Sequence, residues 1–286
     1  MKKLLVLLVV SMLALTGLTG CAAKTYKFGT GSFTEVSGRA AVAAVEAVAA
    51  TKDKPAVEAA EAVAGRVRVT TTYAAVLLDD AGKIVYVDID SAQNEGTFDE
   101  MGAVVKAEAA PTKTEKGADY GMVANSAIGK EWFEQMAALE AYFVGKTLDE
   151  IKAIELDEEA VAVAEDLKAS VSVGIDAYIA AVEKAVANAV EVKGVAKVAV
   201  GSVASVSGRA AKPAVAAAAA TATTPAVEAA EAVAGRIQTN VTYMGVALDK
   251  DGKVLVALLD VAQNQGTFDT TGAIVKAEAA PTKVEK

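Results

Sequence analysis

The chain carries 28 basic and 37 acidic side chains over 286 residues, a formal charge of −9, with no histidine and one cysteine, Cys21. The acidic balance argues against a nucleic-acid partner, which needs a concentrated basic face. The absence of histidine removes imidazole acid–base chemistry and the usual zinc and copper ligand sets, and a lone thiol forms no intrachain disulfide.

The N-terminus reads Met1-Lys2-Lys3, an apolar run from Leu4 to Leu15, then Leu18-Thr19-Gly20-Cys21. A short basic start, an apolar stretch and small residues at the cut describe a secretory signal. The run is shorter than the roughly 20 residues of a membrane span. A cysteine directly after Leu-Thr-Gly predicts a lipoprotein signal over 1–20, with Cys21 carrying diacylglycerol; an uncleaved anchor with an incidental cysteine is the plain alternative. Loss of Lys2 and Lys3 with the signal leaves 26 basic against 37 acidic residues, or −11. Membrane lipid held through Cys21, not a basic surface, is therefore the expected anchor, at the extracytoplasmic face of the cell membrane. Residues 21–35 read as a tether.

A gapless internal match at an offset of 170 organises the rest. Val36-Ser37-Gly38-Arg39 returns as Val206-Ser207-Gly208-Arg209, Pro55 to Arg66 returns unchanged as Pro225 to Arg236, and Gly96-Thr97-Phe98-Asp99 returns as Gly266-Thr267-Phe268-Asp269; 52 of the 81 positions from 36 to 116 are identical. This predicts a first unit over 36–200 and a second, truncated unit over 201–286. The second match stops at Lys286, the partner of Lys116; either the second half-unit leans on the first or, the favoured reading, the sequence is a fragment of a longer product. Without a second set of helices, the strand face bearing Val241 and Tyr243 is expected to lie uncovered.

Within one unit, residues 39–65 are Ala, Val and Glu around Pro55, predicting a low-complexity spacer or a helix pair ending at Gly65. From Arg66 the period becomes two: Val67, Val69, Thr71, Tyr73, Ala75 and Leu77 share a face. Asp79-Asp80-Ala81-Gly82 is a hairpin loop, with Asp249-Lys250-Asp251-Gly252 in the repeat, and Val85, Val87 and Ile89 lie on the return strand. Phe98 and Ala103 to Ala107 add a strand, giving a sheet over 66–110. Helices follow over 124–192: Ile128, Trp132, Met136, Leu139 and Phe143 form one stripe, Thr147 and Glu150 a capping box, and Ile175, Tyr178, Ile179, Val182, Val186 and Val190 a second stripe. The expected class is α+β, a hairpin-based sheet covered by C-terminal helices, with Ala-rich helical or low-complexity inserts.

Few residues offer chemistry. Asp88, Asp90, Asn94 and Glu95 do not have calcium-loop spacing; Asp88 and Glu95 become Leu258 and Gln265 in the repeat, so a solvated strand is expected and no metal. Trp132 falls on an apolar stripe and reads as core. Asp166-Leu167-Lys168-Ala169-Ser170-Val171-Ser172 runs into an Ala- and Val-rich helix, where Ser170 and Ser172 are expected at the least to cap the helix.

This segment, with the acidic-Gly-Lys turn at Asp79 to Lys83, resembles the FMN-binding domain family of exported flavoproteins and ion-pumping redox complexes. Those domains close with Asp-x-x-Ser-Gly-Ala-Thr before a helix. Asp166 falls on the Asp and Ser172 on the Thr, while Ala169, Ser170 and Val171 depart from Ser, Gly and Ala. The resemblance covers residues 66 to 190. It implies FMN joined through its phosphate to Ser172 by a flavin transferase, near Asp166 and Ser170. It also implies a redox partner, with the protein acting as an electron carrier and not a stand-alone enzyme. Asp119-Tyr120-Gly121-Met122 through Gln135 also resembles exported lipoproteins of anaerobic Gram-positive bacteria. The expectation is a surface lipoprotein carrying flavin for extracellular electron transfer; the alternative is a non-catalytic structural or binding lipoprotein of the envelope without cofactor.

Overall fold

The computed structural model describes residues 24–50, 54–221 and 223–285. The signal and Cys21 lie outside the described residues. Strands β1 (Thr25–Arg39), β2 (Gly65–Leu78), β3 (Ile84–Phe98), β4 (Val104–Glu108) and β5 (Val190–Lys193) form an antiparallel sheet in the order β4-β3-β2-β1-β5. Strands β6 (Lys197–Arg209), β7 (Gly235–Leu248), β8 (Val254–Phe268) and β9 (Ile274–Glu278) form a second, in the order β6-β7-β8-β9. The registers repeat at the offset of 170: Gly65 pairs with Phe98 and Gly235 with Phe268, and both hairpins bulge at the equivalent step, Leu77/Leu78 and Ala247/Leu248. Sheet predominates over helix, within the broad α+β class.

The hairpin loops form as their residues dictate. Asp79 Oδ1 accepts from the N–H groups of Ala81 and Lys83, and Gly82 turns the chain at φ 74°; Asp249 and Gly252 repeat this. Such side-chain-closed turns need a short acceptor followed by a residue free to take positive φ.

Helices α1 (Lys113–Lys116), α2 (Trp132–Phe143), α3 (Leu148–Lys152), α4 (Glu165–Lys168) and α5 (Asp176–Ala187) lie between β4 and β5 in the chain. Trp132, Met136, Leu139 and Phe143 are all buried, as their spacing requires, and Thr147 and Glu150 form the expected capping box. Ile128, expected on the same helical stripe, lies in a turn ahead of α2, and Val190, expected on the last helix, opens β5. Together with Ile151, Tyr178, Val182 and Ala185, the four buried α2 side chains cover Ala74, Val76, Leu78, Ile84, Val87 and Ile89 on one face of the first sheet. Helix α5 lies directly on the β1 backbone. A Cβ on Gly29 would stand 1.9 Å from the Ala185 carbonyl oxygen, and one on Gly31 2.3 Å from the Ala185 nitrogen.

The opposite face of the first sheet meets the second sheet, so the layers run helices, sheet, sheet. Tyr73, Ala75 and Leu77 pack with Val198, Val241 and Tyr243, and Val67, Val69 and Phe98 with Ile237 and Phe268. Val241 and Tyr243 are therefore buried, contrary to the uncovered face expected for them. The period of two identifies two faces of a strand but not which partner each takes; here the shared face pairs the repeats with one another.

Contacts across this interface are reciprocal. Gly96 abuts Ile237 and Gly266 abuts Val67, while Gly38 abuts Ile274 and Gly208 abuts Val104. Ala41 N–H donates to Gly272 O and Ala211 N–H to Gly102 O, each at 2.9 Å. An interface in which i meets j and j meets i is isologous, so an approximate two-fold axis relates the two sheets.

Three other expectations are corrected. The Ala-rich segments are not helical: residues 40–50 and 54–64 pair as extended chains through bridges at every third residue, Val42–Val63, Val45–Ala60 and Val48–Val57. Residues 212–218 and 227–233 do the same. Strands β1 and β2 are joined at Arg39–Arg66, so the two chains leave the sheet side by side and continue paired. That anchoring overrides alanine's helix preference, and Gly65 opens β2 instead of ending a helix. The tether expected over 21–35 is, from Thr25, part of β1, paired with β2 from Lys27–Leu78 onward. The second set of strands begins at Lys197, not 201, and shares its core with the first sheet.

Candidate functional site

Ser172 lies in the connection between α4 and α5, half-buried. Its N–H donates to Gln135 Oε1 at 2.8 Å, and its hydroxyl reaches the same oxygen at 3.4 Å. Gln135 is fully buried on α2 and is itself held, its Nε2 donating to Ser126 Oγ and the Lys130 carbonyl. Gln135 thus fixes the Ser172 backbone while leaving the hydroxyl with one long bond. Ser170 is also half-buried, and its N–H donates to the Leu167 carbonyl. Asp166 is exposed and accepts from the Leu167 N–H at the start of α4. Among the described residues no hydrogen bond joins these three side chains to one another. Nor do the serines cap α5: the cap residue is Ile175, and no side chain closes that end.

A second group of polar residues joins β2, β3 and β6. Tyr73 OH donates to Asp90 Oδ2 at 3.0 Å and accepts from Ser202 Oγ across the sheet interface at 3.0 Å. Asp90 Oδ1 receives the N–H groups of Ser91 and Thr114. This aspartate is buried, which corrects the solvated strand expected for Asp88 and Asp90. Burial, then the neighbouring Asp90 charge, drives the Tyr73 phenol far above its ordinary range, so it stays a neutral donor. The repeat builds the same pair, Tyr243 OH donating to Asp260 Oδ2 at 3.2 Å, and the two tyrosine rings stack at 5.8 Å.

Next to this pair, Glu140 on α2 accepts the Ile89 N–H at 2.8 Å. Burial, reinforced by Asp88 and opposed by that N–H, lifts the Glu140 carboxyl to about 8. Burial also lifts Asp88 to about 6, against the stabilising Tyr86 hydroxyl. Glu140 therefore keeps its proton at neutrality, whereas Asp88 gives its proton up just below it.

Tyr73, Asp88, Asp90 and Ser202 border a cavity of about 230 Å³ at the free edge of β6. Its polar lining includes Asp88, Asp90 and Glu115 and no basic side chain, and its apolar lining includes Val200, Val203, Met244 and Leu259. Three carboxylates without a cation disfavour a phosphate there. Among the described residues no cluster of acidic, histidine or cysteine side chains is arranged to hold a metal ion. No helix among them is long and apolar enough to cross a membrane.

Lys113 forms a third polar feature, its Nζ 5.2 Å from the Tyr120 ring centroid and 5.3 Å from that of Trp132. Trp132 is core, as its stripe position requires, and donates Nε1–H to Tyr178 OH at 2.8 Å. Burial lowers the Lys113 ammonium to about 8, although Asp90 and Glu35 oppose the shift. Gln135, Glu140 and Lys113 escaped sequence reasoning because each is an isolated polar residue in an otherwise ordinary element. The repeat of Tyr73 and Asp90 as Tyr243 and Asp260 was the one available signal.

No family model matches the chain, and no solved structure matches it. Among curated proteins it is similar to a chlorophenol reductase of Desulfitobacterium hafniense, 40% identical over 96 residues. The match covers 28% of this chain and 29% of that protein.

Proposed function

We propose that the protein is a lipid-anchored carrier at the extracytoplasmic face of the cell membrane, with FMN joined to Ser172. The observation that carries this reading is the half-buried Ser172 hydroxyl, held ahead of a helix whose N-terminal end has no side-chain cap. Uncapped N–H groups and the helix dipole favour a phosphate near such an end. The residues present fit a covalent acceptor. The hydroxyl makes one long bond, Gln135 immobilises its backbone, and Ser170 and Asp166 do not occupy it. FMN bound there would supply one- and two-electron redox chemistry; Gln135 would hold the attachment loop, and Cys21 the membrane lipid. A flavin transferase and a redox partner are the implied collaborators. The similarity to a reductase is compatible with a redox setting and, at 29% of that protein, carries its reaction no further.

The experiment is expression of the chain with a flavin transferase, followed by intact-mass and in-gel fluorescence measurement. The expected result is an FMN adduct that survives denaturation and is lost in Ser172→Ala. A denatured band without fluorescence and without added mass would sink the proposal.

The acidic, partly apolar cavity favours a second reading, a non-catalytic envelope lipoprotein without cofactor. Its lining suits a small cation with an apolar body, because carboxylates compensate the charge while Val200, Val203 and Met244 accept the rest. Retention of an organic amine by chain that carries no flavin would favour it.

A further inference from the structure

The two-fold relation between the sheets exposes a difference in how their outer faces are covered. On the first sheet Ala74, Ile84 and Ile89 are buried by the helical layer. Their counterparts 170 residues on, Met244, Val254 and Leu259, are 40%, 53% and 55% exposed. The second outer face is thus apolar in the same places, and among the described residues nothing covers it. Isolated exposed hydrophobics are ordinary, but a contiguous patch on a sheet marks a surface that takes a partner.

The shape of the patch identifies the partner. On the first sheet α5 rests against Gly29 and Gly31, a Cβ on Gly31 standing 2.6 Å from Lys184 Cβ. The counterpart of Gly31 is Gly201, which lines the cavity at the β6 edge together with Val203, Met244, Val246 and Leu259. That of Gly29 is Ala199, whose Cβ requires a helix there to stand further from the β6 backbone at that end. The charges agree. Lys184 on α5 pairs with Glu285 of the second unit, Nζ to Oε1 at 2.7 Å. Burial alone would raise the Glu285 carboxyl, but bonds from Lys184 and the Thr282 N–H outweigh it and hold it below the ordinary range. The counterpart of Glu285 is Glu115, exposed on the rim of the same cavity. The β6 groove therefore presents a glycine for close backbone approach, apolar walls and a carboxylate where α5 would bring a lysine.

We propose that the outer face of the second sheet is the docking face for a helical layer of the same kind as residues 117–193, seated with its α5-type helix on Gly201 and its lysine on Glu115. This rests on the two-fold geometry and not on the flavin reading.

The test appends a second copy of residues 117–193 after Lys286 of the full chain, beside a control with the same segment in scrambled order. The appended copy should add helical circular dichroism, quench binding of a hydrophobic dye, and resist proteolysis about tenfold longer than the scrambled control. Gly201→Leu should abolish this protection. Glu115→Lys should weaken it, and Lys→Glu at the appended counterpart of Lys184 should restore it, which a merely unfolded variant would not allow. Digestion of the appended copy as fast as the control, with dye binding unchanged, overturns the proposal. So does a parent chain that hides the patch by self-association, or one whose patch binds neutral phosphatidylcholine vesicles with the extension present.

Discussion

Phe98 and Phe268 lie parallel across the sheet interface, their ring centroids 3.7 Å apart and their planes 3° from parallel. Each ring also covers a glycine on its own sheet: a Cβ on Gly65 would stand 2.2 Å from Phe98 Cε2, and one on Gly235 2.2 Å from Phe268 Cε2. The pair joins both hairpins and both sheets at one point. Phe98→Ala is expected to cost about 3–5 kcal/mol of unfolding free energy, as deletion of a buried aromatic does. Because the two rings are each other's packing surface, the double variant should fall short of additivity by about 1 kcal/mol. Urea denaturation of the two single variants and the double variant measures this; additive losses would show that the rings do not act as a pair.

Tyr73 tests the interface by its polar end. Tyr73→Phe keeps the ring stacked on Tyr243 but removes the hydroxyl between Ser202 and Asp90. The buried Asp90 and the half-buried Ser202 then lose a partner, at an expected cost of about 1–3 kcal/mol. A thermal midpoint unchanged from the parent would mean that water replaces the hydroxyl.

Much of this arrangement was legible in the sequence, and the illegible part has a common cause. The offset of 170 located the strands of the second sheet, the three-and-four spacing located the buried face of α2, and Asp79 and Gly82 located a hairpin. Each signal is local. Which sheet face meets which layer is not local: Val241 and Met244 sit three residues apart on one strand, both apolar, yet one is buried against the first sheet and the other is bare. The Ala-rich ribbons fail similarly, since alanine's preference for helix yields to the anchoring of Arg39 beside Arg66. At the candidate site, the position of Ser172 before a helix could be read from sequence; Gln135, 37 residues away, could not.

Glu140 makes stability depend on pH. Its folded carboxyl titrates at about 8 and that of Asp88 at about 6, both above their ordinary values of 4.5 and 3.8. A raised carboxyl favours the protonated folded state, so the contribution is fully present below the ordinary values and is lost as pH rises through about 6 and then about 8. Glu140→Gln retains an acceptor for the Ile89 N–H and removes the charge. It should gain on the order of 2 kcal/mol relative to the parent at alkaline pH and little at acid pH. Thermal midpoints of both proteins across that range check this; parallel curves would place the titration elsewhere.

Lys113 makes a chemical prediction from the same physics with the opposite sign. Its ammonium, held at about 8 by burial among the Tyr120 and Trp132 rings, is deprotonated at a pH where an ordinary lysine remains charged. The neutral amine is the nucleophile, so a limiting amine-acylating reagent near pH 8 should modify Lys113 ahead of the other lysines, with a rate inflecting near that pH. The competing influence is access, since Lys113 is half-buried while many lysines are exposed. The two are separable, because access sets the plateau rate and the local environment sets the inflection. Peptide mapping after timed labelling from neutral to alkaline pH reads both. An inflection at Lys113 in the ordinary lysine range would show that Asp90 and Glu35 compensate its burial in full.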